Sequence, residues 1–181
     1  MFTDRIGSPI GALLVFHDEA GRLRALDFED YEPRMRRLLR LQWGEEGRDF
    51  VVAERPVPAS VRQALTAYFA GDPGAVDSVP VALAGTPFQR EVWTALRTIP
   101  PGTTLSYGAL ASRLGRPTSV RAVGLANGAN PVAIVVPCHR VIGTDGSLTG
   151  YGGGIARKKW LLTHEGAAFR DSAAPRLRQV A

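Results

Sequence analysis

The amino-acid sequence predicts an α/β protein of the α+β kind: a small sheet-plus-helix domain over residues 1–80, then a mainly helical domain over 86–166 with a helix-turn-helix. Three observations predict it. Strand-like apolar runs are confined to about the first 50 residues. Helix-starting and helix-stopping signals crowd the second half. A stretch over 71–85, broken by Asp72-Pro73-Gly74, reads as a linker between the two.

In the first part, residues 11–16 form a short apolar run, Glu19-Ala20-Gly21 is a turn, and Leu23, Ala25, Leu26 and Phe28 mark a second strand. Residues 33–41 have helical spacing, with Met35, Leu38, Leu39 and Leu41 partly inward. The cluster Arg34, Arg36, Arg37 and Arg40 is expected as a solvated face. Residues 59–70 follow as an amphipathic helix carrying Val61, Leu65, Tyr68 and Phe69, which Gly71 stops. In the second part, Thr86-Pro87-Phe88-Gln89 is a capping box with proline at the first helical position. That helix turns Phe88, Val92, Trp93, Leu96 and Ile99 inward and halts at Pro100-Pro101-Gly102. Ser106 caps a helix over 107–114, which Gly115 ends, and Ser119 is placed to cap another reaching Asn127. Two short helices joined by a tight glycine-containing turn outline a helix-turn-helix. The second is slim, because Ala122, Val123, Gly124 and Ala126 are small. Such a helix has weak propensity but can approach a nucleic-acid groove closely. Asn130-Pro131 ends it, since the residue before proline avoids the α region. Residues 132–136 are a buried apolar run leading to Pro137-Cys138. Thr144-Asp145-Gly146-Ser147 reads as a hairpin turn. Residues 150–154 read as a glycine loop where backbone can approach a ligand, and 155–165 as a last helix. The basic tail over 167–181 is expected to be flexible.

An apolar share of 45% is enough to bury a core, which excludes wholesale disorder. No apolar run approaches the ~18–20 residues of a membrane span. Met1-Phe2-Thr3-Asp4-Arg5 lacks the regions of a signal peptide. The expectation is a cytoplasmic monomer without a membrane partner. The net charge of +5 conceals a split: residues 1–85 carry 10 Lys+Arg against 13 Asp+Glu, and residues 86–181 carry 12 against 4. A second half this basic favours a polyanion, such as nucleic acid, as its partner.

Cys138 is the single cysteine, so no internal disulfide forms; one thiolate with three histidines is a poor donor set for zinc. Neither metal nor cofactor is expected. Composition alone makes a lone cysteine an inert buried hydrophobe. Its neighbours argue for more. A free thiol of pKa ~8.5 is only slightly ionised at neutral pH, yet it is a strong nucleophile. His139 and Arg140 adjoin it, and both favour a nearby anion. Adjacent residues rarely face each other, so His139 needs a turn or a water molecule to reach the sulfur. Glu165, in the last turn of a helix, opposes the helix dipole at ~0.3–1 kcal/mol. Orienting an imidazole would justify that cost and give a Cys138-His139-Glu165 relay. An exposed glutamate with no task is the alternative, and the two stand level.

The stretch from Arg121 through Asn130-Pro131 to Pro137-Cys138-His139-Arg140-Val141, continued by Gly150-Tyr151 and by Trp160 to Gly166, resembles the O6-alkylguanine-DNA alkyltransferases (methylated-DNA–protein-cysteine methyltransferases). The resemblance is dense over 86–166. Ser8-Pro9-Ile10-Gly11 and Leu26-Asp27-Phe28 resemble more loosely the N-terminal domain of the bacterial single-protein members. The resemblance implies DNA repair by direct reversal. A helix-turn-helix enters the minor groove of double-stranded alkylated DNA, and the damaged base is flipped into a pocket. The alkyl group then passes irreversibly from guanine O6, or thymine O4, to Cys138, once per molecule.

By the same resemblance, His139 is the water-linked base and Glu165 the carboxylate that orients it. Tyr107 donates to N3 of the leaving guanine and crowds the target's phosphate. Arg121 is the finger that fills the gap left by the flipped base, and Asn130 ties the recognition helix to the active-site turn. Ser119, Ala122, Asn127 and Gly128 belong to the DNA-contacting stretch. The carbonyls of Cys138 and Val141 read the guanine amine, and Tyr151, Gly152 and Lys158 complete the base pocket. Gly152 stands where some members carry serine, leaving only its backbone N–H for O6. Asn127 and Gly128 stand where some relatives are bulkier or basic. The zinc site of some N-terminal domains needs cysteines this chain lacks.

Without the resemblance, Tyr107 reads as core or cap packing, Arg121 as a solvated helix residue and Asn130 as a turn residue. Two other classes stand beside the enzyme. One is a lesion-sensing module, whose members have tryptophan in place of the cysteine. The other is a transcription regulator, which only the helix-turn-helix favours.

Overall fold

Leu13–His17 is buried at every position because both faces of its strand are covered. It is an inner strand of a four-stranded sheet in a computed structural model that describes residues 1–43 and 52–171. The sheet order is β3-β2-β1-β4, with β1 at Phe2–Ile6, β2 at Leu13–His17, β3 at Leu23–Phe28 and β4 at Ala53–Glu54. β2 is antiparallel to both neighbours, and β1 runs parallel to β4. Side chains alternate between faces along a strand. Leu14 and Phe16 therefore meet Met35 and Leu39 of α1 (Glu32–Trp43), while Leu13 and Val15 enter the main core with Val61, Leu65 and Tyr68 of α2 (Ala59–Phe69). β1 carries little apolar signal, since Thr3, Asp4 and Arg5 are polar; pairing with β2 makes it a strand.

The segment expected as a linker is packed instead. Val76 and Val79 are buried in the main core, and Val81 bridges Leu23 on the edge of β3. The valines among the turn residues supply anchors that Asp72-Pro73-Gly74 conceals.

The helical half starts on its predicted caps. Gln89 N–H donates to Thr86 Oγ1 at 3.2 Å and Thr86 N–H to Gln89 Oε1 at 3.0 Å, opening α3 (Pro87–Leu96). Ser106 Oγ accepts from Ala109 N–H at 3.1 Å and opens α4 (Tyr107–Arg113). Ser119 precedes α5 (Val120–Gly128) but makes no side-chain cap bond. Its ψ of 24° is far from the extended conformation that aims a capping hydroxyl at the helix start. α6 spans Ile155–His164.

Two pairings position the segment around Cys138, the first between the halves and the second within the helical half. Leu26 bridges Val132 in parallel, with Leu26 N–H donating to Pro131 O at 2.9 Å and Ala133 N–H to Leu26 O at 2.7 Å. β5 (Leu105–Ser106) pairs in parallel with β6 (Val141–Ile142). The first pairing hangs the segment before Cys138 on the N-terminal sheet. The second sets Tyr107, the first residue of α4, beside the turn that follows Cys138. The tail is held further than expected: Ala167 is buried against Ile142 and Leu162, and Arg170 N–H donates to Gly146 O at 2.7 Å. The rest of the expected tail, 172–181, lies outside the described residues. Among the described residues, no helix is long and apolar enough to cross a membrane.

Candidate active site

The apolar run before Cys138 is a strained turn rather than a strand. Ile134 has a φ of 69°, costly for a β-branched residue. Asn130 holds the turn: its Oδ1 accepts from Val132 N–H at 3.0 Å and its Nδ2 donates to Val136 O at 2.8 Å, all buried. Cys138 then opens a short 3-10 turn, Cys138–Arg140, with its own N–H on Val136 O at 2.8 Å.

Beyond that turn, Glu165 at the C-cap of α6 is buried, which excludes the reading of an exposed glutamate with no task. Its Oε1 lies 2.9 Å from His139 Nε2. Arg140 grips both oxygens, Nε to Oε2 at 2.8 Å and Nη2 to Oε1 at 3.0 Å, and spends Nη1 on Ile99 O at 2.6 Å. Tyr68 O–H, from α2, donates to Oε1 at 2.7 Å. Burial alone would raise the Glu165 pKa; the hydrogen bonds and charges of His139 and Arg140 outweigh it and hold it at about 2. An ionised carboxylate only accepts, so His139 Nε2 carries the proton and Nδ1 keeps its lone pair. Nδ1 is buried and makes no hydrogen bond to another group among the described residues. Burial pushes the His139 pKa down, so the imidazole rests neutral and basic at neutral pH.

Cys138 differs from expectation in one respect. Burial pushes its pKa up, so it rests as a thiol and is not pre-ionised by its neighbours in sequence. Arg140 is committed to Glu165. The cations that bear on the sulfur are Arg34 and Lys158. Arg34 was expected on a solvated face, but it pairs with Asp27 and donates to Gly128 O at 2.7 Å.

Cys138 opens onto a small cavity with Asn127, Asn130, Tyr151 and Gly152 in its wall. Asn127, expected to contact DNA, is 5% exposed. It lies one turn from Val123, on the inward face of α5. Its Nδ2 approaches Cys138 O at 3.5 Å, and its Oδ1 has no partner among the described residues. The Tyr151 hydroxyl is likewise buried and unpartnered there. Lys158 and Val141 do not line the cavity. Lys158 Nζ donates to Val141 O at 2.6 Å and to Thr149 O at 3.2 Å, and burial lowers its pKa to about 8. The Tyr107 hydroxyl accepts from Thr149 Oγ1 at 3.1 Å, which leaves its own proton free to donate. Burial raises its pKa, so it stays a phenol at neutral pH.

On the outer face of α5, Arg121, Ala122 and Gly128 are exposed and Ser119 is half-buried. Leu125 is 70% exposed one turn from Arg121, an outward apolar side chain that the helical pattern did not single out. Sequence reasoning also missed Tyr68, Thr149, Asp27 and Arg34 as site residues. The apolar spacing of α2 marked Tyr68 for packing, but nothing local shows where its hydroxyl goes.

The chain matches two family models. One, described as 6-O-methylguanine DNA methyltransferase, ribonuclease-like domain, covers residues 1–83; the other, 6-O-methylguanine DNA methyltransferase, DNA binding domain, covers 87–167. The methylated-DNA–protein-cysteine methyltransferase of Salmonella typhimurium is 52% identical over 166 residues, covering 92% of this chain and 96% of the relative. That of Mycolicibacterium paratuberculosis is 49% identical, covering 88% and 89%. Among solved structures, the Mycobacterium tuberculosis OGT in complex with DNA superposes with a TM-score of 0.74 at 42% identity, covering 92% of this chain and 93% of that one. The O6-methylguanine-DNA methyltransferase of the archaeon Pyrococcus kodakaraensis gives 0.67 at 28% identity, covering 92% and 99%.

Proposed function

The chain belongs to the 6-O-methylguanine DNA methyltransferase family, and we propose that it repairs double-stranded DNA by moving the alkyl group of an O6-alkylguanine, or of an O4-alkylthymine, onto Cys138. The observation that carries this reading is the buried Cys138 followed by an imidazole whose Nε2 is held by Glu165 and whose Nδ1 has no partner among the described residues. In the reaction the thiol gives its proton to His139 Nδ1 over a bridging water, the sulfur attacks the alkyl carbon in line, and the carbon–O6 bond breaks. The leaving guanine takes one proton at N3 from Tyr107. The thiol's proton then sits on the imidazolium and Tyr107 is left a phenolate until water carries a proton from the one to the other, so the net charge is unchanged throughout. Water does not cleave the resulting thioether, and each molecule acts once. Glu165 steadies the imidazolium that forms.

We read α4 and α5 as the DNA-facing pair, with Arg121 entering the duplex in place of the flipped base. Residues 1–80 serve as a supporting part and 86–166 as the DNA-binding and alkyl-acceptor part of a cytoplasmic monomer that needs no metal or cofactor.

Incubation with a duplex carrying one O6-methylguanine should add a single methyl mass to the Cys138 peptide, with product never exceeding protein. A multiple-turnover time course, or an unmodified Cys138 despite lesion binding, would sink the reading; the second result would place the chain among lesion-sensing modules. Arg121→Ala should slow repair of the duplex about tenfold or more, because unstacking a base costs a few kcal/mol that the finger offsets. It should leave reaction with free O6-benzylguanine unchanged, and equal losses on both substrates would remove the finger role.

A further inference from the structure

The N-terminal half reaches the mouth of the cavity. Asp27, on β3, is 2% exposed and pairs with Arg34 of α1. Arg34 Nη2 also donates to Gly128 O, at the end of α5, at 2.7 Å. The guanidinium lies over Gly152: a Cβ at that position would sit 2.5 Å from Arg34 Cζ. All four residues line the cavity onto which Cys138 opens. With Arg34 in place that cavity measures about 20 Å³, room for about one water molecule. A purine is several times larger.

We propose that Arg34 is a latch: tied to Asp27 and to Gly128 O, it closes the alkyl-acceptor pocket, and it must swing away before a base can enter. The proposal rests on the reading of Cys138 as the acceptor.

Arg34 is the wall element best suited to move. Asn130 is fixed by buried hydrogen bonds on both ends of its amide. Cys138 is fixed by its own N–H on Val136 O. Arg34 stands on a long flexible stem, its side chain is 23% exposed, and polar contacts hold it. Release leaves the Asp27 carboxylate buried without its cation, so the closed state is favoured until something offsets that loss. Phosphates arriving on the exposed end of α5 would do so by attracting the guanidinium. Duplex DNA would thus open the pocket that it fills, whereas a free base has to wait for a minor open state. Gly152 belongs to the same device. A serine there would put its Cβ where the guanidinium lies, so the small residue this chain carries is what leaves room for the latch.

The test compares wild type, Arg34→Ala and Asp27→Asn for alkylation of Cys138 by iodoacetamide, by free O6-benzylguanine and by an O6-methylguanine duplex, read by intact mass. If the open state is about a tenth of the population or less, Arg34→Ala should react about tenfold faster or more with the two small reagents. The gain with the duplex should be smaller, and Asp27→Asn should give a gain in the same direction with its backbone contact from Phe28 N–H retained. Arg34 also favours the Cys138 thiolate, so losing its charge alone slows the reaction and acceleration reports access. Unchanged or slower rates with both small reagents in both variants would overturn the latch. Failure of the wild type to take a methyl group from the duplex would instead overturn the acceptor reading, and iodoacetamide would still report on Arg34.

Discussion

Glu165→Gln should lower the alkyl-transfer rate about a hundredfold or more and cost about 3–5 kcal/mol of stability. Among the described residues the carboxylate is the one anion paired with Arg140, a fully buried cation, and in the proposed reaction it orients the imidazole that takes the thiol's proton. An amide keeps the shape and one acceptor but leaves Arg140 as an uncompensated buried charge. The pH dependence follows from the directions of two shifts. The Glu165 pKa is lowered from 4.5 to about 2 in the fold. Its contribution of about 3 kcal/mol is present above its unfolded value and lost as pH falls through the folded one. His139 is shifted down by burial. Below its ordinary value of 6.5 the unfolded chain therefore binds more protons than the fold, and stability again falls with acid. Urea denaturation from pH 8 to pH 3 should show a decline that starts near pH 6.5 and steepens below pH 4.5. The Gln variant should lose the steeper part. A variant that is as stable as wild type and transfers at the same rate would refute the role. Tyr68→Phe makes a graded comparison: it removes one donor to Oε1 and should cost about 1 kcal/mol.

Asn130→Ala should cost about 1–3 kcal/mol, because it leaves Val132 N–H buried without its partner, while Val136 O keeps the Cys138 N–H. The same amide keeps Ile134 in its left-handed conformation, so its loss should also let the segment before Cys138 relax. Asn130 also lowers the thiol pKa against the upward push of burial, and removing it should push that pKa higher still. The urea midpoint should drop with the slope unchanged, and the rate of Cys138 alkylation by iodoacetamide should fall across the pH range. A loss of stability under about 1 kcal/mol would show that the turn holds itself without the amide.

Much of the fold was legible because its signals are local. A threonine and a glutamine three residues apart satisfy each other's N–H groups whatever surrounds them, and α3 starts where they stand. The amphipathic spacing of α2 and the apolar strands β2 and β3 were equally readable. The Ser119 cap and the linker over 71–85 were misread for one reason: a side chain that suits a local role is free to take another when packing sets the backbone. Ser119 lost its capping geometry, and Val76 and Val79 went into the core. The resemblance put Asn127 in the DNA-contacting stretch, and only the packing of α5 shows that its side chain is buried.

By itself, then, the sequence determined where helices start and break, and that Cys138, His139 and Glu165 belong to a recognisable alkyl-acceptor pattern. Only the tertiary structure decided the state in which those residues rest. Tyr68 meets Glu165 across 97 positions of chain, and Arg34 meets Gly128 across 94. Whether a thiol is ionised, an imidazole neutral or a carboxylate charged depends on burial and on such distant partners. Desolvation and pairing are properties of the folded interior, and no window of sequence contains them.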